Sequence, residues 1–471
     1  MKDKKKKIRL NVKVYRIMLI LMIGSVVACE DFIEVDPPKT GLVSETVFTS
    51  DATANAAMSA VYVRLTGSFL GAGTSSIIVL NGFASDELVP AAATNEQIRE
   101  FYNNNLTPIN PNLSAIWSVA YNLIYQSNAI IAGLNDASGV NESLKNQLEG
   151  EALFIRAYTH FHLANLFGDI PYITTTDYRE NAKVSRMLRT SVLGRVVQDL
   201  ENSKQKLSEN YTYSKNERVR VNKWVASAFL ARVYLYIGDW DKAEAESNIV
   251  ISNTALFELA ANLDDVFLKN SREAIWQWMP SNSGQNAVEG SYFILTGAPN
   301  IASLSLDLVS HFETGDKRKE RWMGSFSDGV NTWYFPFKYK QKVPTSASVE
   351  YSVVMRLAEL YLVRSEARAN MNNLTGAVDD LDKLRSRAEL PLISDTSPGI
   401  NKEELLLLIG RERRSELFTE NHRWYDLIRT GQADVVMTAI KAGWQATDIL
   451  FPLPESELLI NPLLQPQNPG Y

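Results

Sequence analysis

The residues that could carry covalent or metal chemistry in this chain are few, and they are badly spaced for it. There are four histidines, His160, His162, His311 and His422. His160 and His162 stand two apart in a helical stretch and so do not share a face. HExxH is missing and a single cysteine rules out CxxC, so the usual spacings of a zinc site are absent. Gly67 and Gly71-Ala72-Gly73 lack the Gly-Lys-Ser/Thr that grips phosphate, and no GxSxG elbow occurs. Adjacent acids such as Asp86 and Glu87 could be drawn as a glycosidase pair, but adjacency says nothing about two carboxylates facing each other across a cleft. The chemistry that the composition favours is non-covalent. Nine Trp and 19 Tyr supply flat apolar rings; a sugar's C–H face stacks on such rings while Asn, Asp, Arg and Gln take its hydroxyls.

Position sorts these aromatics. Trp117, Trp224, Trp240 and Trp424 fall on periodic helix faces and read as core, and Trp276 and Trp278 alternate as strand residues do. Outside any helical period stand Tyr292, Phe293, Trp322, Trp333 and Tyr334, with Asn282, Asn286, Asn300 and Arg318 near them. The stretch 67–112 offers Phe83, Asp86, Glu87, Asn95, Gln97 and Tyr102 as a second wall. The expected ligand site has Trp322 and Tyr292 stacking on the ligand, with Asn81, Asp86 and Asn95 hydrogen-bonding it. The charge run Arg411, Glu412, Arg413, Arg414, Glu416, Glu420, Arg423, Asp426, Arg429 reads instead as a structural network. Its like-charge pairs Glu412/Glu416 and Glu416/Glu420, four apart, need arginines as counter-charges, and Trp424 and Tyr425 pack beneath it.

The elements that must position such a site are helices. In 355–388, Leu357, Leu360, Tyr361, Ala367, Ala377, Leu381 and Leu384 recur at helical spacing around a polar break at 370–375. In 223–251 an Ala/Leu/Tyr face runs into Gly238-Asp239-Trp240 and a second helix opens at Lys242-Ala243. Both resemble the tetratricopeptide repeat, a helix pair of about 34 residues. Helical period also marks 46–66 and recurs through 113–270 and 350–440, whereas 67–112 and 271–350 lack it and read as variable, loop-rich regions. The expected fold is therefore mainly α, about four helix pairs carrying a loop-rich, partly β region.

The start of the chain reads differently. Lys2, Lys4 to Lys7, Arg9, Lys13 and Arg16 precede the apolar run Ile17 to Ala28, 12 residues long, which falls short of the roughly 20 that span a bilayer. Residues 1–28 read as a secretory signal. Cys29 follows as the only cysteine and resembles a bacterial lipobox thiol that receives a diacylglycerol, with Val26 where Leu is commoner. Acyl chains hold a soluble domain on a membrane at about 0.8 kcal/mol per buried CH2. Residues 29–45 read as an extended tether containing Pro37-Pro38, leaving 46–471 as a single body. Removing 1–28 takes away 8 of the 48 Lys and Arg and one of the 54 Asp and Glu, leaving 40 basic and 53 acidic residues, a net charge of −13. That balance argues against nucleic acid as a partner.

A resemblance joins these observations. The block Glu151 to Tyr172, ending LFGDIPY, the strand-like Glu273-Ala274-Ile275-Trp276, the repeat RLAELYLVRSEA at 356–367, the helix RERRSELFTENHRWYDLIRTG at 411–431 and the close NPLLQPQNPGY at 461–471 occur in order. Together with Cys29 they resemble the SusD/RagB family of outer-membrane nutrient-binding lipoproteins over nearly the whole chain. Gln465-Pro466 is an irregularity in the closing pattern.

The resemblance implies a non-catalytic binder that sits as a lid on a SusC-type TonB-dependent transporter, lipid-anchored at the outer membrane. Such a protein captures oligosaccharide or polysaccharide and delivers it to the pore. It implies no cofactor, leaves a structural loop calcium open, and carries over no ligand residue. Two other classes fit parts of the pattern: a peptide-binding lid of the RagB kind, and a tetratricopeptide-type adaptor holding only protein partners. A hydrolase would need two facing carboxylates in the loop cleft.

Overall fold

The computed structural model describes residues 47–471. The signal 1–28 and the whole tether 29–45, Cys29 included, lie outside the described residues. The helices come first as α1 (Asp51–Thr66), α2 (Ile77–Ala84), α3 (Glu96–Asn103), α4 (Pro111–Asn135), α5 (Glu142–Phe167), α6 (Arg189–Lys206), α7 (Lys223–Ile237) and α8 (Trp240–Ile251). After the second loop region follow α9 (Leu357–Asn370), α10 (Leu374–Arg387), α11 (Lys402–Leu417) and α12 (Arg423–Arg429). From α4 to α10 each helix packs on the next, as tetratricopeptide-like pairs do. The expected mainly α scaffold is what the chain forms.

Local chemistry explains the helix ends. The Asn222 side chain accepts from the N–H groups of Trp224 and Val225, both at 3.1 Å, and starts α7. Gly238, at φ +78°, stops it in the left-handed region that costs glycine little. Asp239 then caps α8. Between those ends α7 is buried from Val225 to Tyr236, because α6, α8 and α9 cover it. A helix buried on every side belongs in such a place, and its one buried charge, Arg232, is paired with Glu359 at 2.6 Å. Ala226, Ala228 and Ala231, all at 0 % exposure, let the neighbours approach.

Three two-stranded antiparallel sheets lie in and beside the loop regions. They comprise β1 (Leu88–Pro90), β2 (Ala274–Trp278), β3 (Ala302–Leu304), β4 (Met323–Ser327), β5 (Thr332–Pro336) and β6 (Ser352–Arg356). β1 pairs with β3, matching Leu88 with Leu304. β2 pairs with β6 and lays Trp276 and Trp278 into the core. Trp117 and Trp424 are buried as expected, whereas Trp224 and Trp240 are only partly covered.

The charge run is the structural network its spacing demanded. Arg356 donates to Glu416 Oε1 at 2.5 Å and to Glu420 Oε2 at 2.8 Å, bridging the like-charged pair. Arg387 and Arg318 also reach Glu416, and Arg318 meets Glu412 as well. All of these side chains except Glu420 are at most 5 % exposed, so the attraction acts in low dielectric and each charge depends on its partners. Trp424 and Tyr425 lie buried.

The closing NPGY is held down by Asn468, whose side-chain N–H donors go to the carbonyls of Phe167 (2.9 Å) and Phe451 (2.8 Å). This fastens the tail to the FGDIP turn at the end of α5. Gly168 there has φ +75°, and a Cβ would meet Leu450 Cδ1 at 2.9 Å.

Candidate functional site

The two stretches without helical period do meet in space. β1 from one and β3 from the other form their sheet, extended by Ala91 N donating to Ile301 O and Ser305 N to Glu87 O, both 2.9 Å. β5 packs beside β3, which places the β4–β5 hairpin on this joined platform.

The hairpin is built by alternation. Asp328 Oδ1 accepts from the N–H of Val330 (2.9 Å) and of Asn331 (2.7 Å), and Gly329 at φ +91° completes the turn. The register sets Phe326 opposite Trp333 and Gly324 opposite Phe335. Those four residues share one face, because side chains alternate along a strand. Phe326 and Trp333 stack, with ring centroids 6.3 Å apart and planes 21° from parallel. A Cβ on Gly324 would lie 2.2 Å from the Phe335 ring, so glycine is what allows that ring to lie across the strand. Tyr334, on the opposite face, packs toward the core. Phe326 and Trp333 are half-buried beside a tip of Asp328, Gly329, Val330 and Asn331 that is exposed throughout, Val330 at 90 %. Stacked rings bordered by exposed amide and carboxylate groups can hold a sugar ring by its C–H face.

The five expected ligand residues do not come together, and most are occupied. Trp322 has 0 % exposure; its indole N–H donates to Leu263 O at 3.0 Å, and Lys338 Nζ sits 5.0 Å from its ring centroid. It is a core residue that shields the Arg356 network, not a stacking platform. Tyr292 is buried with its ring edge-on to Phe293 at 4.5 Å. Asn81 is buried and donates to Asn421 Oδ1 at 2.7 Å. Asp86 accepts two hydrogen bonds from Arg423, at 2.8 and 2.7 Å, with Arg414 2.8 Å away. Asn95 alone is exposed, and it caps α3 by accepting from Ile98 N at 3.0 Å. The stacked aromatic residues of the hairpin, Trp333 and Phe326, carried a readable signal. The pattern Gly324–Phe335 alternates around Asp328-Gly329, which is the signature of a hairpin.

The electrostatics beneath the loops are those of closed structure. Burial works against the Asp86 carboxylate, yet Arg423 and Arg414 hold its carboxyl below the usual range. Burial and the neighbouring Asp86 charge push Glu87 up to about 7, and both side chains are buried, so this pair is not presented at the surface. A cavity of about 40 Å3 separates the loop regions from the scaffold, lined in part by His162, Trp278, Glu289, Phe293 and Lys338. It has room for a few waters and no more. Burial pushes Glu289 up to about 7, His162 down to about 3 and Lys338 down to about 8. Among the described residues, no group of three or more His, Cys, Asp and Glu is arranged to hold a metal ion.

Comparison with known proteins gives a consistent picture. Residues 39–235 match a family described as starch-binding associating with outer membrane, and residues 313–471 match the SusD family. The chain is 29% identical to SusD-like protein P2 of Formosa agariphila, covering 98% of this chain and 100% of that one. Its fold matches a SusD superfamily protein from Bacteroides vulgatus with a TM-score of 0.79 at 20% identity, over 90% of this chain and 100% of the other. A laminarin binding SusD-like protein matches with a TM-score of 0.77 at 24% identity, over 90% of this chain and 100% of the other.

Proposed function

The chain belongs to the SusD/RagB family, and from that premise we propose that it binds oligosaccharide or polysaccharide at the cell surface without cleaving it. It then hands the glycan to a SusC-type TonB-dependent outer-membrane transporter. In this reading the protein is lipid-anchored through Cys29 on the exterior of the outer membrane, and 29–45 act as its tether.

The observation that carries the reading is the half-buried Phe326–Trp333 pair, stacked at 6.3 Å on a hairpin that stands on the joined loop platform. Aromatic rings offered in this way suit a sugar face, and the absence of a net basic charge suits a neutral ligand. The name of one structural relative, a laminarin binding protein, supports glycan as the ligand class. Non-catalytic binding is supported by Asp86 and Glu87, whose carboxyl groups are buried and engaged within the fold.

Isothermal titration of the chain beginning after Cys29, against polysaccharides, oligosaccharides and mixed peptides, tests the reading. Products are analysed afterwards. Heat from one glycan class with intact glycan recovered supports it. Cleaved glycan refutes the non-catalytic role, and binding of peptides alone replaces it with the RagB-like role. Radiolabelled palmitate incorporation that persists in Cys29→Ala would remove the anchor.

A further inference from the structure

We propose that the groove between α5, α6 and the segment 170–174 is a second saccharide-binding site, on the helical scaffold and separate from the hairpin. The inference rests on the reading of the chain as a glycan binder. The groove has a volume of about 580 Å3, within the range of about 300–1,000 Å3 typical of small-molecule sites.

Its floor is rigid. Asp199 accepts from Arg156 Nε and Nη2, at 2.7 and 2.6 Å, and from the Tyr172 hydroxyl at 2.5 Å. Arg156 Nη1 donates to Asn128 Oδ1 at 2.8 Å. Arg156 and Asp199 are each 7 % exposed, so both charges are satisfied before any ligand arrives. Behind them His160 stacks on Tyr172, centroids 4.0 Å apart and planes 24° from parallel. Ile173 N–H donates to His160 Nε2, which leaves the proton on Nδ1 for the Arg156 carbonyl. The tyrosine ring is therefore fixed in position at the groove, half-buried.

Part of the rim, Arg195, Gln198 and Asn202, is only loosely engaged. Arg195, Gln198, Asp199 and Asn202 recur at helical spacing on one face of α6. Arg195 has only a 3.4 Å contact to Gln198, in a protein where most arginines are locked against carboxylates. Among the described residues, the Asn202 amide has no hydrogen-bond partner. Gln198 and Asn202, four apart, place two amides about 5–6 Å from each other at Cβ, each able to donate and accept, as vicinal hydroxyls require.

The charges select the ligand. Asp199 offsets Arg156, and among the lining residues the charges of Arg195 and Glu201 balance, Glu201 accepting from the Tyr234 hydroxyl at 2.8 Å, so the groove carries no net charge to attract phosphate or uronate. Its mostly polar lining does not suit a lipid or an apolar peptide. A neutral saccharide, offered one fixed aromatic ring and a row of amide and guanidinium donors, fits the chemistry present.

The test compares wild type with Gln198→Ala/Asn202→Ala and with Trp333→Ala. Each is titrated with laminarihexaose, maltohexaose and cellohexaose, and crystals of each are soaked in the same sugars. The expected result is sugar in the groove of wild-type crystals and a binding phase weakened about tenfold in the double variant. That phase survives in Trp333→Ala. The substituted amides are exposed, so an unchanged melting temperature separates this loss from unfolding. Binding that vanishes in Trp333→Ala and is untouched by the double variant, with an empty groove in the soaks, overturns the second site and leaves the proposed function standing. No sugar at either place overturns both.

Discussion

Arg356 Nη1 lies 2.5 Å from Glu416 Oε1, with both side chains at most 1 % exposed. This buried contact joins the end of β6 to α11 and is shared with Arg387 and Arg318. Glu416→Gln removes the one negative charge that the three arginines share, leaving them under-compensated in low dielectric. The expected loss is about 3–5 kcal/mol, read from urea unfolding. Burial opposes ionisation of Glu416, but Arg387, Arg356 and Arg318 hold its carboxyl well below its ordinary range. Its contribution is therefore present above the unfolded carboxyl range and lost as pH falls toward the folded value. A variant as stable as wild type at pH 7 would show that the network carries no stability.

Trp322 and Trp333 stand eleven residues apart and predict opposite phenotypes. Trp322→Ala empties a wholly buried site and should cost about 3–5 kcal/mol. Trp333→Ala removes a half-buried ring, changes stability by about 1 kcal/mol or less, and weakens glycan binding by about tenfold or more. Thermal melts beside titrations distinguish the two. Full glycan affinity in Trp333→Ala removes the hairpin from the binding surface.

Glu289 is buried, accepts from Ser352 Oγ at 2.6 Å, and is pushed up to about 7 chiefly by burial, with Glu350 and Glu420 adding to the effect. The folded state then keeps a proton that the unfolded chain releases near its ordinary value of 4.5. Stability from this group falls as pH rises from about 4.5 to about 7 and is level above that. Glu289→Gln, which cannot ionise, should lose less stability than wild type between pH 5 and pH 8. Parallel urea midpoints for the two proteins across that interval would contradict the assignment.

Asn468→Ala strands the carbonyls of Phe167 and Phe451, both buried under the tail. An unsatisfied buried group costs about 1–3 kcal/mol, so the variant should unfold at lower urea and exchange the amide hydrogens of 452–471 faster. Unchanged exchange in that tail would mean that other contacts suffice to hold it.

Much of this was legible in the residues. The α7/α8 and α9/α10 pairs followed from Ala/Leu/Tyr periodicity and from the Gly238-Asp239 and Asn372-Asn373 breaks. The network followed from like-charged Glu412, Glu416 and Glu420 needing counter-ions. Trp322 was misplaced because the helix that ends on it, Lys317–Trp322, is six residues long and too short to show a period. The partners that bury its ring, Phe267 and the arginines at 356 and 387, lie far away in the chain. Asp86 and Asn81 failed for the same reason, since Arg423 and Asn421 are more than three hundred positions away.

The sequence by itself determined the helical scaffold, its turns, its family and the need for a buried ion network, because those depend on spacing within a few turns of chain. Only the tertiary structure decided which aromatic rings reach water, that β1 joins β3 across some two hundred residues, and that Arg156, Tyr172 and Asp199 line one groove. Exposure and juxtaposition are set by what packs against a residue from elsewhere in the chain. Local spacing carries no record of that.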